Sequence, residues 1–137
     1  MQTSENGFNF IKGNEGLVLV ISNDVGHPVI GYGHDLLPGE SFPDGISTDQ
    51  ADLLLRKDLA SRFEPAVNAV IDPSCTQNQF DALCDFAYNL GTAALRMMIA
   101  HGWNEITTEI PYWNHVGGQV NDGLTNRRAA EVLLFNS

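Results

Sequence analysis

The sequence predicts an α+β protein, mostly helical, in one compact unit of 137 residues that can split into two small lobes sharing a cleft. Three observations carry this. Two capping boxes, Ser47-Thr48-Asp49-Gln50 and Thr76-Gln77-Asn78-Gln79, each open a run of apolar residues at helical spacing. Ahead of them, an aliphatic run and a glycine-rich run read as short strands. Hydrophobic residues make up 43% and charged residues 18% of the chain, an ordinary globular composition that excludes wholesale disorder.

Taken in order, Ser4 to Gly13 reads as a short helix showing Phe8 and Ile11 on one side, weakened by Gly7 and Gly13. Gly16 is placed to end it just after Glu15. Leu17 to Leu36 reads as two or three strands. Leu17–Ile21 is aliphatic, Asn23–Gly26 is a turn, and Val29–His34 is a further strand. Gly31 and Gly33 leave one face bare, which fits either close approach of a ligand or a bulge. Residues 37–45 form a loop. The next helix runs through Leu54, Leu55, Asp58 and Leu59, and Pro65 is expected to kink or break it near Glu64.

Phe80, Leu83, Cys84, Ala87 and Leu90 mark the stripe of the following helix, which Gly91 closes. Leu95–Ile99 and Trp103–Glu109 read as shorter helices, the second ended by Pro111. Asp122 to Arg128 leads into a last helix ending near Phe135.

Several functions are disfavoured. No apolar run approaches the roughly 20 residues needed to cross a bilayer, so no membrane insertion is expected. Met1 to Glu5 lacks a signal peptide's basic and apolar regions, which points to synthesis in the cytoplasm. A formal charge of −10 argues against nucleic-acid binding. Cys75 and Cys84 lack metal-type spacing, and Cys84 reads as a buried free thiol. The four histidines show no H-E-x-x-H or paired Cys/His pattern. No metal and no cofactor is therefore expected, and a zinc amidase built on His34 with His101 or His115 is the remote alternative.

The chemistry concentrates between Asn14 and His34. Glu15 sits at a helix's carboxyl end, where the dipole and partial burial both favour the protonated acid. Asp24 follows nine residues later, after the apolar run. Two carboxylates on separate elements suit acid/base hydrolysis, with one donating a proton and the other staying ionised. The plain alternative is a helix-end acid and a turn acid.

This segment resembles the catalytic segment of the phage-type lysozymes, glycoside hydrolase family 24. In that family a Glu-Gly closes the first helix, an Asp lies about nine residues on, and G-x-P-T-I-G-x-G-H completes a small sheet. The matches are Glu15-Gly16, Asp24 and Gly26-His27-Pro28-Val29-Ile30-Gly31-Tyr32-Gly33-His34. A second block, Q-F-D-A-L-C-D-F-A-Y-N-L-G, resembles the family's central helix. A third, from Trp113 and Asn114 through Gly117, Gly118, Gly123, Leu124, Arg127, Arg128 and Glu131, resembles its closing motif. The three lie in the family's order over about Phe8 to Leu134.

The resemblance implies a lysozyme-like domain with a small β-containing lobe at residues 14–46, a linking helix at 48–64, and a helical lobe at 66–137 joined by the N-terminal helix. It implies Glu15 as general acid, Asp24 as partner carboxylate, and Arg127 reaching Glu15 to hold it, whereas an Arg-Arg pair can also be plain surface solvation. It pairs His34 with Asp58, against the alternative of a core histidine and an exposed acid. It turns Tyr88 and Asn89 toward a saccharide groove, against a plain helix terminus.

Val29 stands where the family has a water-positioning Thr, and the turn after Asp24 is one residue short. That leaves Asp24, or His27 or Ser22, to position the water. The implied reaction is muramidase cleavage of the β-1,4 bond between N-acetylmuramic acid and N-acetylglucosamine in peptidoglycan, by a monomer. The enzyme would reach the wall or periplasm through a holin or a secretion system. The alternative is an impaired lysozyme fold that binds wall glycan or a protein partner. The acidic charge opposes long-range attraction to an anionic wall.

Overall fold

The computed structural model describes residues 1–22 and 28–137, so Asp24 and His27 lie outside the described residues. Helix α1 (Glu5–Glu15) is capped by Ser4, whose hydroxyl accepts from the Gly7 amide, and it ends at Gly16 with φ +71°. Strands β1 (Val18–Ser22), β2 (Val29–Gly31) and β3 (His34–Asp35) form an antiparallel sheet in that order. Val18 pairs with Gly31, and Ile30 pairs with His34. The strand expected over Val29–His34 is therefore a tight hairpin. Gly31 (φ +68°) and Gly33 (φ +81°) reverse the chain in a conformation that a side chain would strain.

Helix α2 (Thr48–Asp58) opens with a full capping box between Ser47 and Gln50. It continues through a π-helical turn (Leu59–Phe63) into α3 (Glu64–Asn68), so Pro65 does not break the helix. Proline lacks an N–H and its ring crowds the carbonyl four residues back. The wider turn just upstream, in which the Glu64 amide bonds to Leu59, changes the local spacing where that crowding would arise.

Helix α4 (Gln77–Leu90) is the centre of the molecule, with every residue from Phe80 to Ala87 buried. Phe8 and Ile11 of α1, Leu59 and Phe63 of the π turn, Val67 of α3 and Phe135 join the same core. A Cβ on Gly7 would stand 2.4 Å from Asp81 Cγ, so this glycine lets α1 lie directly on α4. Asp81 then accepts from the Ser4 amide (3.0 Å) and from Gln77 (2.9 Å), which satisfies its buried carboxylate.

Helix α5 (Thr92–Ile99) is followed by a 3₁₀ turn (Trp103–Glu105) and α6 (Ile106–Glu109). The α-helical geometry ends at Glu109, just ahead of Pro111, as expected. Pro111 sits at the start of a further 3₁₀ turn (Ile110–Tyr112), where a missing N–H is tolerated. A hairpin absent from the sequence reading follows, with β4 (His115–Val116) paired to β5 (Gln119–Val120) across Gly117-Gly118. Its strands are too short to show an alternating pattern. Helix α7 (Asp122–Phe135), capped by Asn121, closes the fold against α4.

Candidate active site

Glu15 occupies the last turn of α1, with its side chain 17% exposed. Its Oε1 accepts from the Arg127 terminal nitrogen at 2.6 Å. Its Oε2 lies 3.3 Å from the point where a Cβ on Gly33 would stand, and Tyr88 approaches that same point at 4.0 Å. Glycine at position 33 thus keeps the space between Glu15 and Tyr88 open. Burial pushes the Glu15 carboxyl above the usual range; Arg127 pulls it down and nearby Asp85 pushes it up again. The result is a carboxyl biased toward keeping its proton.

Arg127 is held from below. Its Nε donates to Asp85 Oδ2 at 2.9 Å, and one terminal nitrogen donates to Asp85 Oδ1 at 2.8 Å. Asn14 Nδ2 also donates to Asp85, at 3.3 Å. Arg128 is fully buried, donating to Glu131 (2.5 Å) and Asn89 (2.9 Å), with its guanidinium over the Phe86 ring. Neither arginine is a surface group. Burial, followed by the neighbouring Asp85 carboxylate, raises the Glu131 carboxyl well above its ordinary range.

A cleft of about 310 Å³ opens beside this network, lined by Gly33, His34, Asp58, Tyr88 and Asn89 among others. Tyr88 donates from its hydroxyl to the Tyr32 carbonyl at 2.6 Å and stacks at a tilt on Phe63. Asn89 has its carbonyl engaged by Arg128 while lining the cleft. A second hollow of about 380 Å³ adjoins Arg127, between Asn14, Asn121 and Asn126.

His34 is 2% exposed, with Nδ1 2.7 Å from Asp58 and Nε2 2.7 Å from Glu40. Burial alone would lower the imidazole pKa. Hydrogen bonds with Glu40 and then Asp58 outweigh it, so the net shift is upward. Burial likewise pushes Asp58 up against the pull of His34, whereas the Leu37 amide and then His34 lower Glu40. We read the imidazole as the protonated member, because both of its ring nitrogens face carboxylate oxygens.

Val29 lies half-buried in β2, paired with Asp35. Residues 15, 33, 88 and 127 are brought together, and 34 and 58 line the adjoining cleft. The sequence reading gave no role to Asp85, Glu40 or Glu131, although Glu131 stands in the closing motif. Asp81 and Asp85 stand one helical turn apart inside an otherwise apolar run, and buried acids require partners. That spacing was the available signal for Asp85.

The phage lysozyme family model matches residues 12–131. This chain belongs to the phage lysozyme family. It is 44% identical to the endolysin of Bacillus phage PZA across 100% of its own length and 56% of that protein. The muramidase domain of SpmX from Asticaccaulis excentricus superposes with a TM-score of 0.84 at 34% identity, over 99% of this chain and 98% of that one. The endolysin from Escherichia coli O157:H7 phage FAHEc1 gives 0.82 at 34% identity, over 98% and 93%. The α+β architecture of this family member is thus a lysozyme fold. The chain spans 56% and 61% of the length of its curated relatives from Bacillus phage PZA and Lactococcus phage c2.

Proposed function

We propose that this chain is a muramidase that hydrolyses the β-1,4 bond between N-acetylmuramic acid and N-acetylglucosamine of peptidoglycan and so lyses the bacterial wall. The observation that carries this is Glu15, a half-buried carboxyl biased toward protonation and opening past Gly33 and Tyr88 beside the cleft. Glu15 delivers its proton to the glycosidic oxygen as positive charge develops on the sugar ring. Asp24 is the partner carboxylate that stabilises that charge or guides water. His27 is a further group that can orient the water, since Val29 offers neither donor nor acceptor.

Arg127 holds the acid, and the His34–Asp58 pair secures the cleft wall. Tyr88 and Asn89 meet the saccharide, an aromatic face and an amide suiting a ring with hydroxyl edges. The chain acts as a monomeric domain, with a small lobe at residues 14–46 and a helical lobe at 66–137 completed by α1. It reaches the wall or periplasm through a holin or a secretion system.

Turbidity clearing of outer-membrane-permeabilised Gram-negative cells, paired with sedimentation on purified walls, tests the proposal. Clearing that Glu15→Gln abolishes supports it. Val29 favours a second reading, a lysozyme fold that binds wall glycan without cutting. Co-sedimentation without clearing selects that reading.

A further inference from the structure

One terminal nitrogen of Arg127 serves two acids, donating to Glu15 at 2.6 Å and to Asp85 at 2.8 Å. Were Glu15 its only partner, the guanidinium would favour a permanent carboxylate, since an opposite charge at this distance lowers a carboxyl pKa by about 1–3 units. A general acid must instead hold its proton at working pH. Asp85 has the stronger claim on the cation. It is 0% exposed, engages both Nε and the terminal nitrogen, and takes a further bond from Asn14.

We propose that Asp85 is a positioning residue for the reaction: it clamps Arg127 in two places and balances its charge, leaving Glu15 free to keep the proton it must give away. This rests on Glu15 being the general acid. Among the described residues, the charged groups facing Glu15 are Arg127 and Arg128 from α7 and Asp85 from α4, with the Tyr88 phenol beside them. Those facing Asp85 are Arg127, Arg128 and Glu131 from α7 and Glu15 from α1, with the Asn14 amide. The upward push of Asp85 on Glu15 has the sign this requires.

Two measurements on the full chain test it: an NMR titration of the Glu15 carboxyl in protein carrying ¹³C-labelled glutamate, and kcat and KM against pH on purified peptidoglycan. In Asp85→Asn the Glu15 midpoint falls by about one unit or more. The alkaline limb of kcat follows it down, and kcat above both limbs drops about tenfold. KM stays within about twofold, because Asp85 is not among the residues that line the cleft.

An unmoved midpoint overturns the proposal, whatever happens to Tm and whether or not the protein cuts wall. Absent turnover in the wild type overturns the function proposed above and is read separately. Should Asp85→Asn not fold, the double variant Asp85→Asn/Arg127→Gln removes the cation with its counter-charge. There the Glu15 midpoint lies clearly below that of Arg127→Gln alone, and equal midpoints in the two variants overturn the proposal.

Discussion

At the end of α1, Arg127 stands between Glu15 and Asp85; at the start of β3, His34 stands between Asp58 and Glu40. Both clusters set one cation between two carboxyls, yet their outcomes differ. A guanidinium stays charged at any physiological pH, so the strain of two acids around one cation falls on Glu15, which holds it by one bond against two for Asp85. An imidazole can lose its proton, so in the second cluster the cation itself titrates. The first arrangement favours the protonated form of a carboxyl. The second fastens the loop bearing Glu40 and strand β3 to α2, with a strength that depends on pH.

The most severe way to break the first cluster is Glu15→Gln. General acid catalysis contributes about 10²–10⁴-fold, so kcat on purified wall falls by roughly that factor. The fold stays intact, and thermal denaturation at pH 7 gives a Tm equal to or above wild type. The sign follows from a folded pKa raised above 4.5. Stability falls as pH rises from the unfolded value through the folded one, and glutamine removes that loss. A Tm well below wild type would show Glu15 to be a structural ion-pair partner instead.

His34→Gln comes next. It removes the shared cation from between two carboxylates whose side chains are about one-fifth exposed. Discounted for that exposure, the loss is about 2–3 kcal/mol at pH 5.5, measured by urea unfolding. Wild-type stability sharpens the same point. The His34 contribution is fully present below its unfolded value of 6.5 and is lost as pH rises through the higher folded value. The gap between wild type and His34→Gln should therefore close toward alkaline pH, and a constant gap would make His34 a packing residue only.

The smallest effect is expected from Val29→Thr. A hydroxyl at a half-buried strand position changes kcat by less than about threefold and stability by at most about 1 kcal/mol if Asp24 and its neighbours already position the water. A gain of tenfold or more would mean that the natural site is impaired.

The contrast also marks what a reader of the chain could see. Local signals were strong where the physics is local. Ser47 and Thr76 cap helices, and Gly16 and Gly91 end them, because those roles depend on a few neighbouring residues. The β4–β5 hairpin, spanning six exposed residues, carried too little pattern to register. The unbroken passage through Pro65 needed a π turn that composition does not encode.

By itself, then, the chain determined the mostly helical α+β character, the helix ends, the placement of Glu15 at a helix terminus and the family motifs around it. Only tertiary packing decided which carboxyl shares which cation. Arg127 and Glu15 are 112 positions apart, and Arg127 and Asp85 are 42 apart. Charge balance in a buried network depends on distances of a few ångströms, and no pattern of neighbours along the chain specifies those.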